Sequence, residues 1–216
     1  MERLRRCYHC IAIDLPGHGK SPLLYNKEIL WDETLNELVR FLENHHIEKA
    51  SFFGYSMGGR ILLRFQEKYP HLIDKLFICS AHLGGFEKRE ENPRWIKLLE
   101  EGNMELFLSE WYDQPLFASL KKKPQLFEAI VERRKENHPH HLKEAMEGFS
   151  LTRQNRYEPL DKTWFFYGEH DVKYRKMYET IKLKREIQGG GHAIHLENPE
   201  EIAEEILCIH GKPDLA

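Results

Sequence analysis

The sequence predicts an α/β fold with a mostly parallel sheet and an inserted helical cap. Short apolar runs alternate with helical periodicity through residues 1–83, which is typical of strand-helix-strand units. Residues 84–157 are helical by periodicity, charged and poor in strands, and the alternation resumes over residues 158–216. We therefore expect the first and third segments to form one core and the second segment to form the cap.

The composition permits a substantial core and argues against several classes of partner. With 216 residues, 41% hydrophobic and 12% aromatic content, the chain fits one domain with an inserted subdomain. The formal net charge of -3 at pH 7 creates no global field that attracts nucleic acid or an anionic membrane. The first apolar run stops at Asp14, so we expect no signal peptide or membrane span, and a cytoplasmic location. The oligomeric state is not predicted.

Five elements are predicted before the cap, in the order strand, helix, strand, helix, strand. Residues 7–13 are short, apolar and followed by a Pro-Gly turn, which indicates a buried strand. Apolar residues at helical spacing predict helices over 31–45 and 57–69, the second ending before a proline. Residues 50–55 and 74–80 are predicted to be two further buried strands.

Four elements are predicted after the cap. They are a strand at 163–168, a helix near 173–181, a short strand at 183–187, and a last helix over 199–209 that begins with a proline. A triple-glycine loop, 189–191, separates the last strand from the last helix. Loops that follow parallel strands are the places where α/β sheets hold ligands and catalytic groups.

The segment Gly54-Tyr55-Ser56-Met57-Gly58 lies between a predicted strand and a predicted helix. The pattern G-x-S-x-G in that setting is the nucleophile elbow. The glycines permit a strained turn and a close approach of the backbone, while the start of the helix and the amide of Met57 point at developing negative charge. This context favours a catalytic role for Ser56, with Met57 as an oxyanion donor, over a plain tight turn.

A serine nucleophile needs an imidazole base that is itself oriented by a carboxylate. Asp171 follows the strand at 163–168, and His192 follows the triple-glycine loop. The order Ser56, Asp171, His192, each after a separate strand, favours this set as the catalytic triad. The alternatives are Glu169 for the acid and His170, His195 or His18 for the base.

Three other patterns carry less weight. The segment Asp14–Ser21 ends in Gly-Lys-Ser like a phosphate-binding loop, but Asp14 occupies the position of the required first glycine, so we predict a strand-end turn beside the active site. Cys7 and Cys10 have no second pair to complete a zinc site. The histidine cluster at 138–141 has no nearby thiolate and lies in a predicted cap loop. We therefore expect no metal and no cofactor.

Four motifs in order, DLPGHGKS, GYSMGG, YGEHD and GGGHAIHLENP, resemble the α/β-hydrolase superfamily over nearly the whole chain. The segments GYSMGGR, WYDQPLFASL and FSLTRQ resemble the menaquinone-pathway 2-succinyl-6-hydroxy-2,4-cyclohexadiene-1-carboxylate synthases. The resemblance implies the α/β-hydrolase fold and a triad that abstracts a proton from a cyclohexene intermediate, so that pyruvate is eliminated. The alternatives are a serine hydrolase of small esters, thioesters or carbon-carbon bonds, and an inactive truncated product.

The candidate substrate contacts predict a small polyanionic carboxylate as the ligand. Arg60 lies four residues after the elbow serine on the same helix face, and a carboxylate is the natural bidentate partner of a guanidinium. Arg94 and Arg153 are candidates for further carboxylates, with surface solubility as the alternative. Tyr55 and Trp111 are candidate substrate contacts, and packing of the cap core is the alternative for Trp111.

The resemblance also concerns the start of the chain. Members of the family begin with a β-hairpin, then a strand whose His-Gly loop supplies a second oxyanion amide, then a helix. Because Met1 aligns within that helix, we expect these N-terminal elements to be missing. Their loss is expected to open the sheet beside the strand at 50–55 and to make the chain poorly stable.

Overall fold

A parallel sheet of four strands lies at the centre of the described chain. The structure is a computed structural model, and it describes residues 2–85 and 93–211. The strands are β1 (Ala50–Tyr55), β2 (Ile73–Cys79), β3 (Thr163–Gly168) and β4 (Lys184–Ile187). They lie in the order β1-β2-β3-β4, and each neighbouring pair is parallel. The carboxyl ends of all four strands therefore meet at one edge of the sheet.

Helices surround this sheet and form the segment between β2 and β3. The helices of the described residues are α1 (Leu30–Asn44), α2 (Met57–Lys68), α3 (Pro93–Glu100), α4 (Met104–Tyr112), α5 (Ala118–Lys121), α6 (Pro124–Lys135), α7 (Pro139–Gly148), α8 (Val172–Met177), α9 (Ile194–Glu197) and α10 (Pro199–His210). Short 3-10 helices cover Leu4–Arg6, Pro70–Leu72, Pro115–Phe117 and Leu151–Arg153. None of the helices in the described residues has both the length and the apolar content needed to cross a lipid bilayer.

The central strands are buried on both faces. Along β3, Phe165 and Tyr167 pack into the core under α1 and α2, while Phe166 points to the opposite face. On that face it meets Ile202 and Ile206 of α10. Side chains alternate across a strand, so a strand covered by helices on both sides is apolar at every position. This explains why the run at 163–168 predicted a strand correctly. The runs at 50–55 and 74–80 also form strands, although Ser51 and Phe53 of β1 are exposed.

The helices α3 to α7 pack around a second hydrophobic cluster of their own. Its buried members include Leu98, Phe107, Tyr112 and Phe117, and it reaches the core through Ala193. The helical segment therefore rests on the loop after β4. The expected boundaries of the cap at residues 84 and 157 stay a prediction.

The predicted strand at 7–13 was wrong. These residues form no ladder with the sheet, and Ile11 and Ile13 are 44% and 49% exposed. A strand exists only through hydrogen bonds to a neighbour, and in the described residues β1 pairs on one side only, with β2. An apolar run without a partner strand stays irregular. The turn predicted within Asp14–Ser21 is present, since the Gly17 amide donates to Ser21 O at 3.2 Å.

Candidate active site

Ser56 occupies the turn between β1 and α2 in a strained conformation. Its φ is 47° and its ψ is -109°, a region that residues with a Cβ rarely adopt. The Ser56 amide donates to Cys79 O at 2.8 Å, and the Ser56 carbonyl accepts from the Arg60 amide at 3.1 Å. These bonds to β2 and to α2 hold the turn, so the strain is imposed by the elements around it.

Two glycines allow α2 to approach the sheet closely enough for this turn. A Cβ added to Gly59 would lie 2.6 Å from Ala81 Cβ and 2.9 Å from Gly54 O. A Cβ added to Gly54 would lie 2.7 Å from Leu62 Cδ1 and 2.8 Å from the Gly58 carbonyl. Real Cβ atoms do not approach other atoms this closely, so both positions require glycine.

Asp171 and His192 are brought together at the same edge of the sheet. Asp171 follows β3, His192 follows β4, and both are 6% exposed. The Asp171 carboxylate accepts from His192 Nδ1 at 3.1 Å and from the Tyr174 amide at 3.3 Å. The bond from Nδ1 leaves Nε2 as the ring atom able to accept a proton. Within the described residues, no hydrogen bond joins the Ser56 hydroxyl to His192.

Aromatic side chains fix the orientation of the His192 ring. Tyr174 stacks on it with ring centroids 5.2 Å apart, and Phe117 meets it edge-on at 5.8 Å. The Tyr55 ring lies 5.2 Å from it on the elbow side. Sequence analysis missed Tyr174 and Phe117 as parts of this site. The packing adds an apolar wall to the hydrogen bond that His192 Nδ1 donates to Asp171.

The alternative acid and bases have other partners. The Glu169 carboxylate accepts from the Gly189 amide at 3.0 Å, while for His170 it is the backbone amide, not the ring, that donates to Gly190 O. The ring of His18 bonds Pro16 O at 3.1 Å. Burial, with the positive charge of Arg134, lowers the pKa of His195 to about 3, which is poorly matched to a base near neutral pH.

Arg60 reaches from α2 toward this site and binds neutral acceptors. Its Nη1 donates to Phe149 O at 2.6 Å and to Gln154 Oε1 at 3.3 Å. Desolvation lowers the pKa of Arg60 to about 10, so the guanidinium is charged at neutral pH. Within residues 2–85 and 93–211, no carboxylate lies within ion-pair distance of Arg60. The structure thus presents a partly buried cation whose charge is not neutralised.

The other predicted substrate contacts, Arg94, Arg153 and Trp111, interact with other side chains of the protein. Arg153 makes a two-pronged ion pair with Glu28, at 3.0 and 3.2 Å. The Arg94 side chain is 73% exposed and forms an ion pair with Glu110. Both positions agree with the surface alternative. Trp111 packs on Trp95 and Phe107 in the core of the helical segment, which agrees with the packing alternative. Their roles toward substrate stay predictions.

Arg134 is a cation near the site that sequence analysis missed. It lies in α6 with Cζ 5.5 Å from the ring centroid of Tyr112, and Tyr112 packs on Phe117 beside His192. No carboxylate in the described part of the chain pairs with it. A signal was available: Phe127, Ile130 and Val131 mark the apolar face of α6, and Arg134 follows them at helical spacing.

The geometry can support acid-base and nucleophilic chemistry near two cations, Arg60 and Arg134, that have no carboxylate partner in the described residues. Met57 is the first residue of α2, so its amide belongs to the turn of a helix that lacks intrahelical acceptors. Burial raises the pKa of the Tyr55 phenol well above its usual range, which keeps it neutral. No group of three or more His, Cys, Asp or Glu side chains suited to a metal occurs in residues 2–85 and 93–211.

Comparison with protein families identifies the class of this molecule. A model of the alpha/beta hydrolase family matches residues 1–205. The chain therefore belongs to the alpha/beta hydrolase family, and the parallel sheet with its inserted helices is the α/β-hydrolase fold.

Individual relatives are more specific. The chain is 28% identical over 208 residues to the 2-succinyl-6-hydroxy-2,4-cyclohexadiene-1-carboxylate synthase of Enterobacter sp. (strain 638), covering 91% of this chain and 79% of that protein. It is 28% identical over 220 residues to the putative synthase of that name from Haemophilus influenzae, covering 94% of this chain and 87% of that protein. These relatives confirm the resemblance that the sequence motifs indicated.

Solved structures show the same relationship. The structure of MenH from S. aureus superposes with a TM-score of 0.78 at 26% identity, covering 96% of this chain and 86% of that chain. The enol-lactonase from Burkholderia xenovorans LB400 superposes with a TM-score of 0.75 at 13% identity, covering 92% of this chain and 79% of that chain. The second comparison shows the shared fold alone.

Proposed function

We propose that this protein is a carbon-oxygen lyase of menaquinone biosynthesis, which eliminates pyruvate from a cyclohexene intermediate to give 2-succinyl-6-hydroxy-2,4-cyclohexadiene-1-carboxylate. The observation that carries the proposal is Arg60, a cation with no carboxylate partner in the described residues, which interacts electrostatically with Tyr174, the ring that stacks on His192. The names of the relatives support the same reaction. A polyanionic substrate supplies the missing negative charge.

In this proposal, His192 is the base and Asp171 holds its Nδ1 proton. His192 Nε2 removes a ring proton from the substrate, directly or through the Ser56 hydroxyl. The electron pair of that C–H bond moves into the ring, which then holds two double bonds, and the bond from the ring carbon to the enol oxygen of the leaving group breaks with its electron pair on oxygen. The Met57 amide with the start of α2 stabilises the negative charge on that oxygen, and the departing enolate becomes pyruvate when its methylene carbon takes up a proton, which balances the one removed from the ring.

Two cations are proposed to hold the carboxylates of the substrate. Arg60 and Arg134 come from different elements, α2 and α6. Arg60 interacts electrostatically with Tyr174, which stacks on His192, and Arg134 lies over Tyr112, which reaches His192 through Phe117. Each guanidinium gains a charge-assisted hydrogen bond when a carboxylate binds. The pocket thereby favours a substrate with at least two negative charges over a neutral ester.

A serine hydrolase is the second candidate function, because the strained backbone of Ser56 is what a nucleophile elbow requires. In that case Ser56 attacks a carbonyl carbon, and a water molecule later releases the acyl group. Both functions use Ser56, Asp171 and His192. The charge of the substrate is therefore what separates them.

The test compares Arg60→Ala and Arg60→Lys on the acidic cyclohexene intermediate and on a neutral aryl ester. Removing the partner of a desolvated carboxylate loses about 2–5 kcal/mol, or roughly 30-fold to several thousand-fold in kcat/KM for the acidic substrate. Arg60→Lys is expected to recover part of this loss, because an ammonium keeps the positive charge but cannot make the two parallel hydrogen bonds of a guanidinium. Hydrolysis of the neutral ester is expected to stay nearly unchanged.

The neutral ester is the internal control, since it depends on the same three residues but offers Arg60 no carboxylate. Equal losses on both substrates would make Arg60 structural and favour the hydrolase. Absence of pyruvate release by the wild-type protein, with ester hydrolysis retained, would also favour the hydrolase.

A further inference from the structure

Gln154 joins the end of the helical segment to the core beside Arg60. It is 4% exposed and lies just after the 3-10 helix Leu151–Arg153. Its Nε2 donates to His82 O at 3.1 Å, and its Oε1 accepts from Arg60 Nη1 at 3.3 Å. Because only the amide nitrogen can donate to a carbonyl, the first bond fixes which end of the side chain faces Arg60. The oxygen must face the guanidinium.

The backbone around Gln154 keeps this side chain in place. The Gln154 amide donates to Leu151 O at 3.2 Å, and the Gln154 carbonyl accepts from the Gly85 amide at 3.3 Å. Gly84, at φ +86°, packs so tightly that a Cβ there would lie 1.8 Å from Asn155 O. The backbone of Gln154 is therefore held by hydrogen bonds to Leu151 and to Gly85, and its carboxamide has little freedom to turn away from Arg60.

The acceptors of Arg60 are neutral, and this has a chemical consequence. Gln154 Oε1 and Phe149 O orient the guanidinium but carry no formal charge. A carboxylate at either place would neutralise the cation and compete with an anionic ligand for its N–H groups. A carboxamide supplies the same hydrogen bond and leaves the positive charge available.

We propose that Gln154 is a positioning residue for anion recognition: it orients the guanidinium of Arg60 without neutralising it, so that Arg60 receives a carboxylate of the substrate. The inference deepens the proposed function and rests on its anionic substrate. Its distinctive requirement is that residue 154 be uncharged as well as able to accept a hydrogen bond. A merely structural glutamine has the second requirement but not the first.

The experiment uses Gln154→Glu and Gln154→Met in the full chain. Binding of succinate, a simple dicarboxylate probe, is measured by calorimetry, and kcat and KM are measured on the acidic intermediate and on the neutral ester. Gln154→Glu is expected to weaken succinate at least about 10-fold, because its carboxylate pairs with Arg60. Gln154→Met is expected to raise KM for the acidic substrate several-fold, with little change in kcat, because the guanidinium loses its orienting bond.

Gln66 provides the matched control. It is another buried glutamine, and it bonds Glu158 O at 3.0 Å and Thr163, with no contact to Arg60. Gln66→Glu is expected to lower the melting temperature while succinate affinity stays within about twofold of wild type. Arg60→Ala is expected to abolish succinate binding in every background.

Several results would overturn the inference. They are succinate affinities of both Gln154 variants within about twofold of wild type, equal losses on acidic and neutral substrates, or failure of both variants to fold, which would make Gln154 structural. A wild-type protein that does not bind succinate would overturn it together with the anionic pocket. Succinate binding that requires Arg60, without pyruvate release, would refute the lyase reaction and leave the role of Gln154 standing.

Discussion

Asp171 and Glu169 lie two residues apart in one loop, yet their carboxylates have different tasks. Asp171 accepts from His192 Nδ1, whereas Glu169 accepts from the Gly189 amide at the start of the glycine loop that carries His192. One carboxylate therefore contacts the imidazole, and the other holds the loop on which the imidazole is mounted.

Substitution of the two carboxylates by amides separates these tasks. In Asp171→Asn the amide no longer favours the Nδ1–H tautomer, so kcat for the neutral ester is expected to fall about 10³–10⁴-fold. Glu169→Gln keeps an acceptor for the Gly189 amide, so kcat is expected to change by less than about tenfold. Steady-state kinetics on the ester measures both. A larger loss for Glu169→Gln than for Asp171→Asn would assign the acid role to Glu169.

The residues of the site differ in how visible they are in the sequence. Ser56, Asp171 and His192 were predicted because each follows a strand in the order typical of the fold, and the structure brings Asp171 and His192 together. Arg134 was missed because a single arginine on an otherwise apolar helix face is a weak signal without knowledge of what the face covers. Arg94 and Arg153 were proposed because they lie in the predicted cap, and their ion pairs with Glu110 and Glu28 depend on long-range packing that no local pattern encodes.

At the scale of elements, helix α2 depends on how closely it approaches the sheet. Gly58 and Gly59 are adjacent in its first turn, but their surroundings differ. A Cβ on Gly58 would meet nothing within 4 Å, while a Cβ on Gly59 would lie 2.6 Å from Ala81 Cβ. The close packing of α2 on the sheet thus requires glycine at position 59 but not at position 58.

This difference makes a matched pair of variants. Gly58→Ala is expected to raise the free energy of unfolding by up to about 1 kcal/mol, since alanine is the better helix former. Gly59→Ala is expected to lower it by about 1–3 kcal/mol, because the helix must move away from the sheet. Urea unfolding curves measure both changes. If Gly59→Ala were as stable as Gly58→Ala, the close packing of α2 on β2 would be wrong.

The elements that the sequence predicted well are those whose signal is local. The strands β1 and β3 are short runs rich in apolar residues, and α2 is bounded by the elbow and by Pro70, so their limits follow from composition and turn chemistry. The segment 7–13 has the same apolar composition but no partner strand among the described residues. Whether an apolar run becomes a strand is decided by its neighbour, which local composition does not encode.

At the scale of the whole molecule, the candidate site draws on three parts of the chain. The sheet supplies the strand ends, α2 carries Arg60, which is proposed to bind substrate, and the helical segment carries Phe117 and Arg134. The hydrophobic cluster of the helical segment meets the core at the loop after β4, where Ala193 belongs to the helical segment's cluster and Ile194 to the core. Stability and site geometry are therefore coupled, because the rings that frame His192 come from the core, with Tyr174, and from the helical segment, with Phe117.

The stability of the whole molecule in acid depends on His195, a buried residue beside the candidate site. Its ring packs on Tyr55 at 4.0 Å, and its Nδ1 is buried with no hydrogen-bond partner in the described residues. Burial, with the charges of Arg134 and His192, lowers the pKa of His195 from 6.5 to about 3. Protonation is thus opposed in the folded state and free in the unfolded state.

The sign of the effect follows from this difference. Above pH 6.5 neither state binds the proton, and His195 does not change stability. As pH falls from 6.5 toward 3, the unfolded state binds the proton first, so the free energy of unfolding falls. Between pH 7 and pH 5 the loss is on the order of 1–2 kcal/mol. His195→Phe keeps a ring against Tyr55 and cannot titrate. From pH 7 to pH 5, its free energy of unfolding is therefore expected to fall by about 1–2 kcal/mol less than that of the wild type. Urea unfolding at pH 7, 6 and 5 measures the difference, and parallel pH profiles for wild type and His195→Phe would show that His195 is not held neutral in the folded protein.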